Sequence, residues 1–310
     1  VYTQKRKPNR VEVLISGVLL VYGVLVRIDA LPGFIPLAAL WVLVVFRNKP
    51  VKVRAMYVLA VLIVVVGVNS IISVIAQPEK KYATHKLFMH DLSGIYVETG
   101  DDVFPPELYK RLHGFDTSYI RAHFHTATND MLWWNNDNVP MVPPPDAEMD
   151  AVLKGAWWNG IKKHPATYIA NRLDGFWYYL RIKVRPQASN MTFYKWIHPN
   201  EYGLELKPNR LRDTIGRWID NSRNLFYMQA WFWMLMNILL FIPLSRIRDK
   251  GYKYIIASLL LSSLLFRLPQ VFIYQTDTDF RYFYWTCIAC TFAAILIVKA
   301  IRSRNVTMPR

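Results

Sequence analysis

Cysteine is nearly absent: the 310 residues contain two, Cys287 and Cys290, both inside one apolar run. They supply neither a disulfide framework nor a CxxC-type zinc site. Charge is scarce too, at 19% of residues, where a typical soluble domain carries about 25%. Acids are the scarcer sign, 22 Asp and Glu against 38 Lys and Arg, for a net charge of +16. No Gly-rich phosphate loop occurs in 47–54 or 246–253, which disfavours a nucleotide-sugar donor or an ATP-driven transporter. There is no repeat of about 20–50 residues, no strand-rich region and no signal-peptide pattern. What the chain has in abundance is apolar surface, with 53% hydrophobic and 15% aromatic residues. Few charges, many aromatics and a basic excess fit a membrane protein rather than a soluble enzyme or a disordered chain. The chain opens on Val1 and a polar, basic stretch, which reads as a piece of a longer protein.

A bilayer core about 30 Å thick takes about 20 apolar helical residues to cross. Six stretches meet or approach that length: Val11–Ile28, Leu31–Phe46, Ala55–Gln77, Phe226–Ser245, Tyr254–Tyr274 and Phe280–Ala300. The second is short and carries Pro32 and Pro36 in its first half, so an irregular entry is expected there. The positions of Lys and Arg test the topology independently. Lys5, Arg6, Lys7 and Arg10 precede the first stretch, and Arg47, Lys49, Lys52 and Arg54 separate the second from the third. Arg246, Arg248, Lys250 and Lys253 lie between the fourth and fifth, and Lys299, Arg302, Arg304 and Arg310 at the far end. If all six helices cross, every one of these falls on one side, which the positive-inside rule makes cytoplasmic. The same rule accounts for the basic loops without nucleic acid. The expected fold is all-α, a polytopic helical protein of the cell (inner) membrane. Residues 1–77 hold three transmembrane helices, 78–225 a mostly helical extracytoplasmic domain, and 226–310 three more transmembrane helices, with both termini cytoplasmic.

The segment from Pro78 to Leu225 differs in kind. Its charges nearly balance and it holds all seven histidines of the chain. It is too polar for lipid and too aromatic for disorder. Asp146 after Pro143–Pro145 predicts an N-cap for a helix to about Ile161. Pro165 predicts the first residue of another, running to about Val184, with Ile169, Leu173, Phe176 and Leu180 on its apolar face. Further helices are expected over Leu87–Tyr96 and Leu211–Ile219, with a Trp-, Asn- and Pro-rich loop over Thr126–Pro145. The aromatics Trp133, Trp134, Trp157, Trp158, Trp177, Tyr178 and Tyr179 fit a membrane interface or a core better than sugar stacking.

Once the cytoplasmic and outer-segment cations are set aside, Arg27, Arg267 and Arg281 remain. Arg27 and Arg281 fall near the outer boundary. Arg267 lies about 20 Å along a helix from Tyr254, inside the hydrocarbon layer, where an ionised group marks a cavity or a partner. Leu268 and Pro269 follow it, and a proline there frees a backbone carbonyl and bends the helix. Three arginines at this level suit an anion, because the guanidinium fork gives two parallel bonds to phosphate oxygens. The plainer alternative has Arg27 and Arg281 snorkelling to headgroups and Arg267 paired with Asp277 or Asp279. Asp91, beside His90, is the acid best placed for proton transfer in 78–225, against a role as a surface or capping acid. His123 and His125 lack a spaced third ligand, so the surface reading is preferred to a metal. Asn190-Met191-Thr192 matches a glycosylation sequon too common to decide anything.

Four short segments carry a resemblance. Val26-Arg27-Ile28-Asp29-Ala30-Leu31-Pro32 before an apolar helix resembles the arginine-bearing helix of bacterial polytopic glycosyltransferases of the C-type fold (GT-C). Lys86-Leu87-Phe88-Met89-His90-Asp91-Leu92-Ser93-Gly94-Ile95, followed by Phe104-Pro105-Pro106-Glu107, is similar to the short helix that opens their large extracytoplasmic loop. His164-Pro165-Ala166-Thr167-Tyr168 through Arg172-Leu173 is similar to another part of that loop. Asp279-Phe280-Arg281-Tyr282 resembles the entry of a late helix. The resemblance is to the C-terminal part of such enzymes, which move a sugar from a polyprenyl-phosphate carrier to a glycan or lipid-linked acceptor at the outer membrane face. It implies a carrier-phosphate site at Arg281 with Arg27 and Arg267, and supporting roles for Asp29, His90, Asp277, Asp279 and Tyr282. It also implies a catalytic acid in a first outer loop, upstream of Val1, so that residues 1–310 alone are expected to be inactive and Asp91 is the best acid present. No organic cofactor is expected, and a divalent metal is left open. Membrane lipids are the other expected partner. Two alternatives remain: a transporter or flippase of a lipid-linked anion, which would use the same arginines without an acid, and a non-catalytic membrane scaffold subunit, which would not need Arg267.

Overall fold

The computed structural model describes residues 6, 8–26, 30–76, 84–133, 138–143, 146–183, 197, 200–222, 224–273 and 283–306. Among them the chain is mostly helical with no strand. The helices are α1 (Arg10–Val26), α2 (Leu31–Val45), α3 (Val51–Ala76), α4 (Thr84–Thr99), α5 (Pro106–Arg111), α6 (Thr117–His123) and α7 (Asp130–Trp133). They continue with α8 (Ala147–Lys163), α9 (Pro165–Tyr179), α10 (Arg210–Ser222), α11 (Ala230–Leu239), α12 (Lys250–Ile273) and α13 (Tyr284–Val306). The chain divides into two compact units. One comprises Val1–Glu79, Trp233–Gln270 and Tyr284–Arg310, the other Lys80–Phe232 and Val271–Phe283.

In the first unit, three helices are long and apolar enough to cross a membrane: Val51–Ile75, Lys250–Pro269 and Tyr284–Arg302. The apolar side chains of α3 point outward in many directions, Met56, Leu59, Ile63, Val74 and Ile75 among them. A helix that is apolar all round and leaves that surface uncovered is suited to lipid. Leu31–Val45 and Ala230–Arg246 are apolar but shorter. The expected irregular entry to the second stretch is absent. Pro32 sits in the first turn of α2, where its missing N–H costs nothing. The fourth stretch, expected as one helix over Phe226–Ser245, is instead broken into a 3-10 turn at Phe226–Met228, the ten-residue α11, and a 3-10 turn at Ile242–Arg246. Pro243 explains the second break, since it has no N–H for the Leu239 carbonyl and its ring crowds that turn.

Helices α1, α2 and α3 meet over Val24, Phe34, Ala38 and Val65, and Trp41 Nε1 donates to Ser16 Oγ at 2.9 Å. Around α11–α13 the core is Leu240, Leu244, Ile256, Leu260, Cys290 and Ala293. Gly33 brings α2 against α12. A Cβ there would stand 2.8 Å from the Ser262 carbonyl oxygen and 2.8 Å from Phe266 Cβ. Small residues at such crossings are how apolar helices approach closely in lipid.

The second unit is built around α4. His85 and the run Leu87 to Ile95 are buried, so α4 is a central rod rather than an amphipathic surface helix. It packs against α6, α8 and α9, with Phe88, Leu92, Phe104, Leu108, Ile120 and Leu153 in the core. Local signals set the surrounding helices. Asp116 caps α6 by accepting from Ser118 N, and Asp146 caps α8 by accepting from Met149 N. Asp146 also pairs with Arg111, which reaches Glu148 as well. Pro165 opens α9 as expected, but α9 ends at Tyr179 rather than near Val184, which lies outside the described residues. Long-range bonds make the stop. Leu180 O accepts from Trp231 N at 2.8 Å, Arg181 takes a left-handed conformation with φ 62°, and its Nη1 donates to Met228 O at 3.2 Å.

Candidate functional site

Of the three arginines singled out from sequence, the structure describes Arg267. Arg27 and Arg281 lie outside the described residues, as do Asp29, Asp277, Asp279 and Tyr282. Arg267 stands on α12, two residues before Pro269, and is 2% exposed. Its guanidinium carbon is 4.1 Å from the centre of the Phe266 ring, a distance at which an aromatic face stabilises a cation. Its unit buries several other polar side chains. Ser262, Ser263 and Thr286 are buried, as is Asn237. Trp285 Nε1 donates to Ser262 Oγ at 3.1 Å, and Asn237 Nδ2 donates to Leu260 O at 3.3 Å. The buried hydroxyls of Ser263 and Thr286 have no hydrogen-bond partner among the described residues. Ser263 lies one turn from Arg267 on the same face of α12. A buried cation with the unsatisfied Ser263 hydroxyl one turn away is suited chemically to an anion carrying several oxygens.

Asp91 occupies a different kind of place. It is neither at the surface nor at a cap, being 6% exposed on the buried α4. Its Oδ2 accepts from Arg172 Nη2 at 2.5 Å and from Trp157 Nε1 at 2.7 Å. Arg172 is itself 3% exposed, and Tyr168 lies beneath its guanidinium at 5.5 Å. The trio ties α4 to α8 and α9. His90 is also buried, with Nδ1 4.0 Å from Asp91 Oδ1 and Nε2 3.3 Å from His125 O. The space among His90, Asp91, Gly94, Phe124, Asn171 and Arg172 measures about 10 Å³, room for about one water molecule. That space is far smaller than a sugar. Burial raises the Tyr168 phenol above its usual pKa, with Arg172 opposing and Asp91 adding to the shift.

Family models, curated proteins and solved structures give no match to this chain. The functional reading therefore rests on these residues and on the resemblance of the four segments.

The remaining sequence candidates fall as follows. His123 stacks on Tyr119, ring centres 4.1 Å apart, and His125 Nδ1 accepts from Ala127 N at 3.1 Å. Among the described residues no group of three or more His, Cys, Asp or Glu stands close enough to hold a metal. Trp157 is a core and hydrogen-bonding residue, whereas Trp158 and Trp177 are exposed. Trp134 lies outside the described residues, and so does Asn190. Sequence reasoning missed Arg172 as the partner of Asp91, because no spacing rule links residues on separate helices. It also passed over Ser263 and Thr286, although a polar residue inside an apolar run was the available signal.

Proposed function

We propose that this protein is an integral membrane glycosyltransferase that takes a sugar from a polyprenyl-phosphate carrier to an acceptor at the outer membrane face. In this reading six helices span the membrane, both termini are cytoplasmic, and residues 78–225 are extracytoplasmic. The observation that carries it is Arg267, an arginine 2% exposed on a helix apolar enough to span a bilayer. An ionised group kept at such a position marks a functional site, and its fork geometry suits a phosphate. In the transfer, the bond between the sugar's anomeric carbon and the phosphate oxygen breaks as the acceptor hydroxyl oxygen bonds to that carbon. The carrier phosphate leaves with the bonding electron pair, and the hydroxyl proton goes to a base. Arg267 stabilises the charge that grows on the leaving phosphate. Asp91 has the role of holding α4, α8 and α9 together. Its carboxylate already accepts two bonds in a space of about 10 Å³, so the reading assigns the proton to another group.

The test is binding of a labelled polyprenyl-phosphate sugar by the protein in membrane vesicles, alongside transfer of the sugar by the full-length enzyme that the resemblance implies. Arg267→Ala is expected to abolish both while the protein remains inserted. Arg267→Lys should recover only part, because a point charge lacks the two-bond fork. Full donor binding by Arg267→Ala would remove the phosphate site. Donor crossing the bilayer without any transferred product would favour the flippase reading instead.

A further inference from the structure

Helix α10, like α9 with its exposed Ile169, Leu173 and Trp177, leaves apolar side chains uncovered, and it adds a run of cations. Leu211, Ile215 and Trp218 recur at helical spacing and form one stripe. All three are exposed, at 70%, 42% and 57%. The opposite arc carries Arg210, Asp213 and Arg217, while the buried Gly216 lies between the two. Gly216 and Ser222 are its buried residues, while the side chains of the apolar stripe are left uncovered. Between 207 and 217 the charges are Lys207, Arg210, Arg212 and Arg217 against the single acid Asp213. Eight residues after Ser222 the chain enters the apolar α11. On the way it passes the exposed Leu225 and Phe226 and the aromatic run Trp231-Phe232-Trp233.

We infer that α10 is an interfacial helix, lying flat in the boundary between headgroups and acyl chains, with Leu211, Ile215 and Trp218 in the apolar layer and Arg210 and Arg217 at lipid phosphates. Three observations favour a lipid surface over a protein groove as the occupant. An apolar stripe flanked by arginines has the composition of helices that settle about 5–10 Å into that boundary. The excess of cations between 207 and 217 complements anionic headgroups. The connection to an apolar helix through a Trp- and Phe-rich segment places the following residues at the level where aromatic belts occur. The inference rests on the chain being membrane-embedded and not on sugar transfer.

The experiment is site-directed spin labelling of the protein reconstituted in phosphatidylcholine vesicles with and without phosphatidylglycerol. Cys287→Ala and Cys290→Ala remove the native thiols, and single cysteines are placed in turn at 210, 211, 213, 215, 217 and 218. Labels at 211, 215 and 218 are expected to collide more with oxygen, which concentrates in lipid, than with a water-soluble nickel chelate. Labels at 210, 213 and 217 should show the reverse, giving a helical period in the ratio. Phosphatidylglycerol should deepen the first set, and Arg210→Gln with Arg217→Gln should cancel that dependence. Equal access of the nickel chelate to all six positions would overturn the inference. So would protection of 211, 215 and 218 from both reagents, the signature of a protein partner. Because the readout is collision and not transfer, an inactive protein with the helical period leaves this inference standing and counts only against the proposed activity.

Discussion

At the scale of single residues, the Asp91–Arg172 pair is the part of the second unit least visible in the sequence. Asp91 was legible as the acid nearest a histidine on a short helix. Its burial was not, since ten residues that include His85, His90, Ser93 and Gly94 do not look like a core. What makes α4 a core element is the partner at each polar position, Arg172 and Trp157 above all. Removing one member of a buried ion pair leaves the other charge uncompensated, at a cost of about 3–5 kcal/mol. Asp91→Asn should therefore lower the unfolding free energy of the detergent-solubilised protein by that order. Adding Arg172→Met, which removes the stranded charge, should recover much of the loss. A cost below about 1 kcal/mol, the size of an exposed pair, would show that the pair does not hold the three helices together. His85 gives a pH dependence. Burial holds its pKa below the ordinary value, against the opposing pull of Asp150 and Asp146. A histidine depressed in the folded state binds its proton more readily when unfolded. Stability is then full above the unfolded value of about 6.5 and falls as pH drops toward the folded one. Thermal unfolding between neutral and mildly acid pH should show that fall, and His85→Gln should flatten it.

At the scale of elements, legibility followed the range of the signal. Asp146 and Pro165 start α8 and α9 where the sequence placed them, because a cap and a first-turn proline act within a few residues. The end of α9 was missed because it depends on Trp231 N and Met228 O, about 50 residues away in sequence. The break after Leu239 was available in principle from Pro243, whose effect on the preceding turn is local. The contact of α2 with α12 is a further case of a distant partner giving a local residue its meaning. Gly33 is tolerated as a helix residue because nothing larger fits beside the Ser262 carbonyl and Phe266. Gly33→Ala must separate the two helices or move Phe266, whose ring carries Arg267. Overpacking of this kind costs about 1–3 kcal/mol. The variant should melt earlier and, on the proposed function, bind a polyprenyl-phosphate sugar more weakly. Gly67→Ala on α3 is the control, since its Cβ meets nothing within 4 Å, and it should leave both measurements unchanged. Equal behaviour of the two variants would mean that the approach of α2 to α12 does not shape the surroundings of Arg267.

At the scale of the whole molecule, the sequence speaks through sums rather than positions. Scarce charge and long apolar runs indicated a membrane protein, and three helices have the length and apolarity to cross one. Of the two shorter apolar helices, Leu31–Val45 and Ala230–Arg246, the second is where hydropathy alone overstates the regularity of the chain, because Pro243 divides it. Topology is the property that the charges predict most sharply, since every short basic linker falls on one side if six segments cross. The prediction is that Lys154, exposed on α8, faces the outside and Arg248, exposed between Arg246 and α12, faces the cytoplasm. Lys154 is a better reporter than Asp146, which caps α8 and pairs with Arg111. In a background with Cys287→Ala and Cys290→Ala, a membrane-impermeant thiol reagent added to intact cells should modify Lys154→Cys and leave Arg248→Cys untouched. After permeabilisation both should react, which controls for the exposure of Arg248→Cys. Reaction of both positions in intact cells would mean that the one intervening segment, Phe226–Ser245, fails to cross. Reaction at 248 alone would invert the protein and move the outer domain, with Asp91 and Arg172, to the cytoplasmic side. No sugar transfer at the outer face survives that outcome.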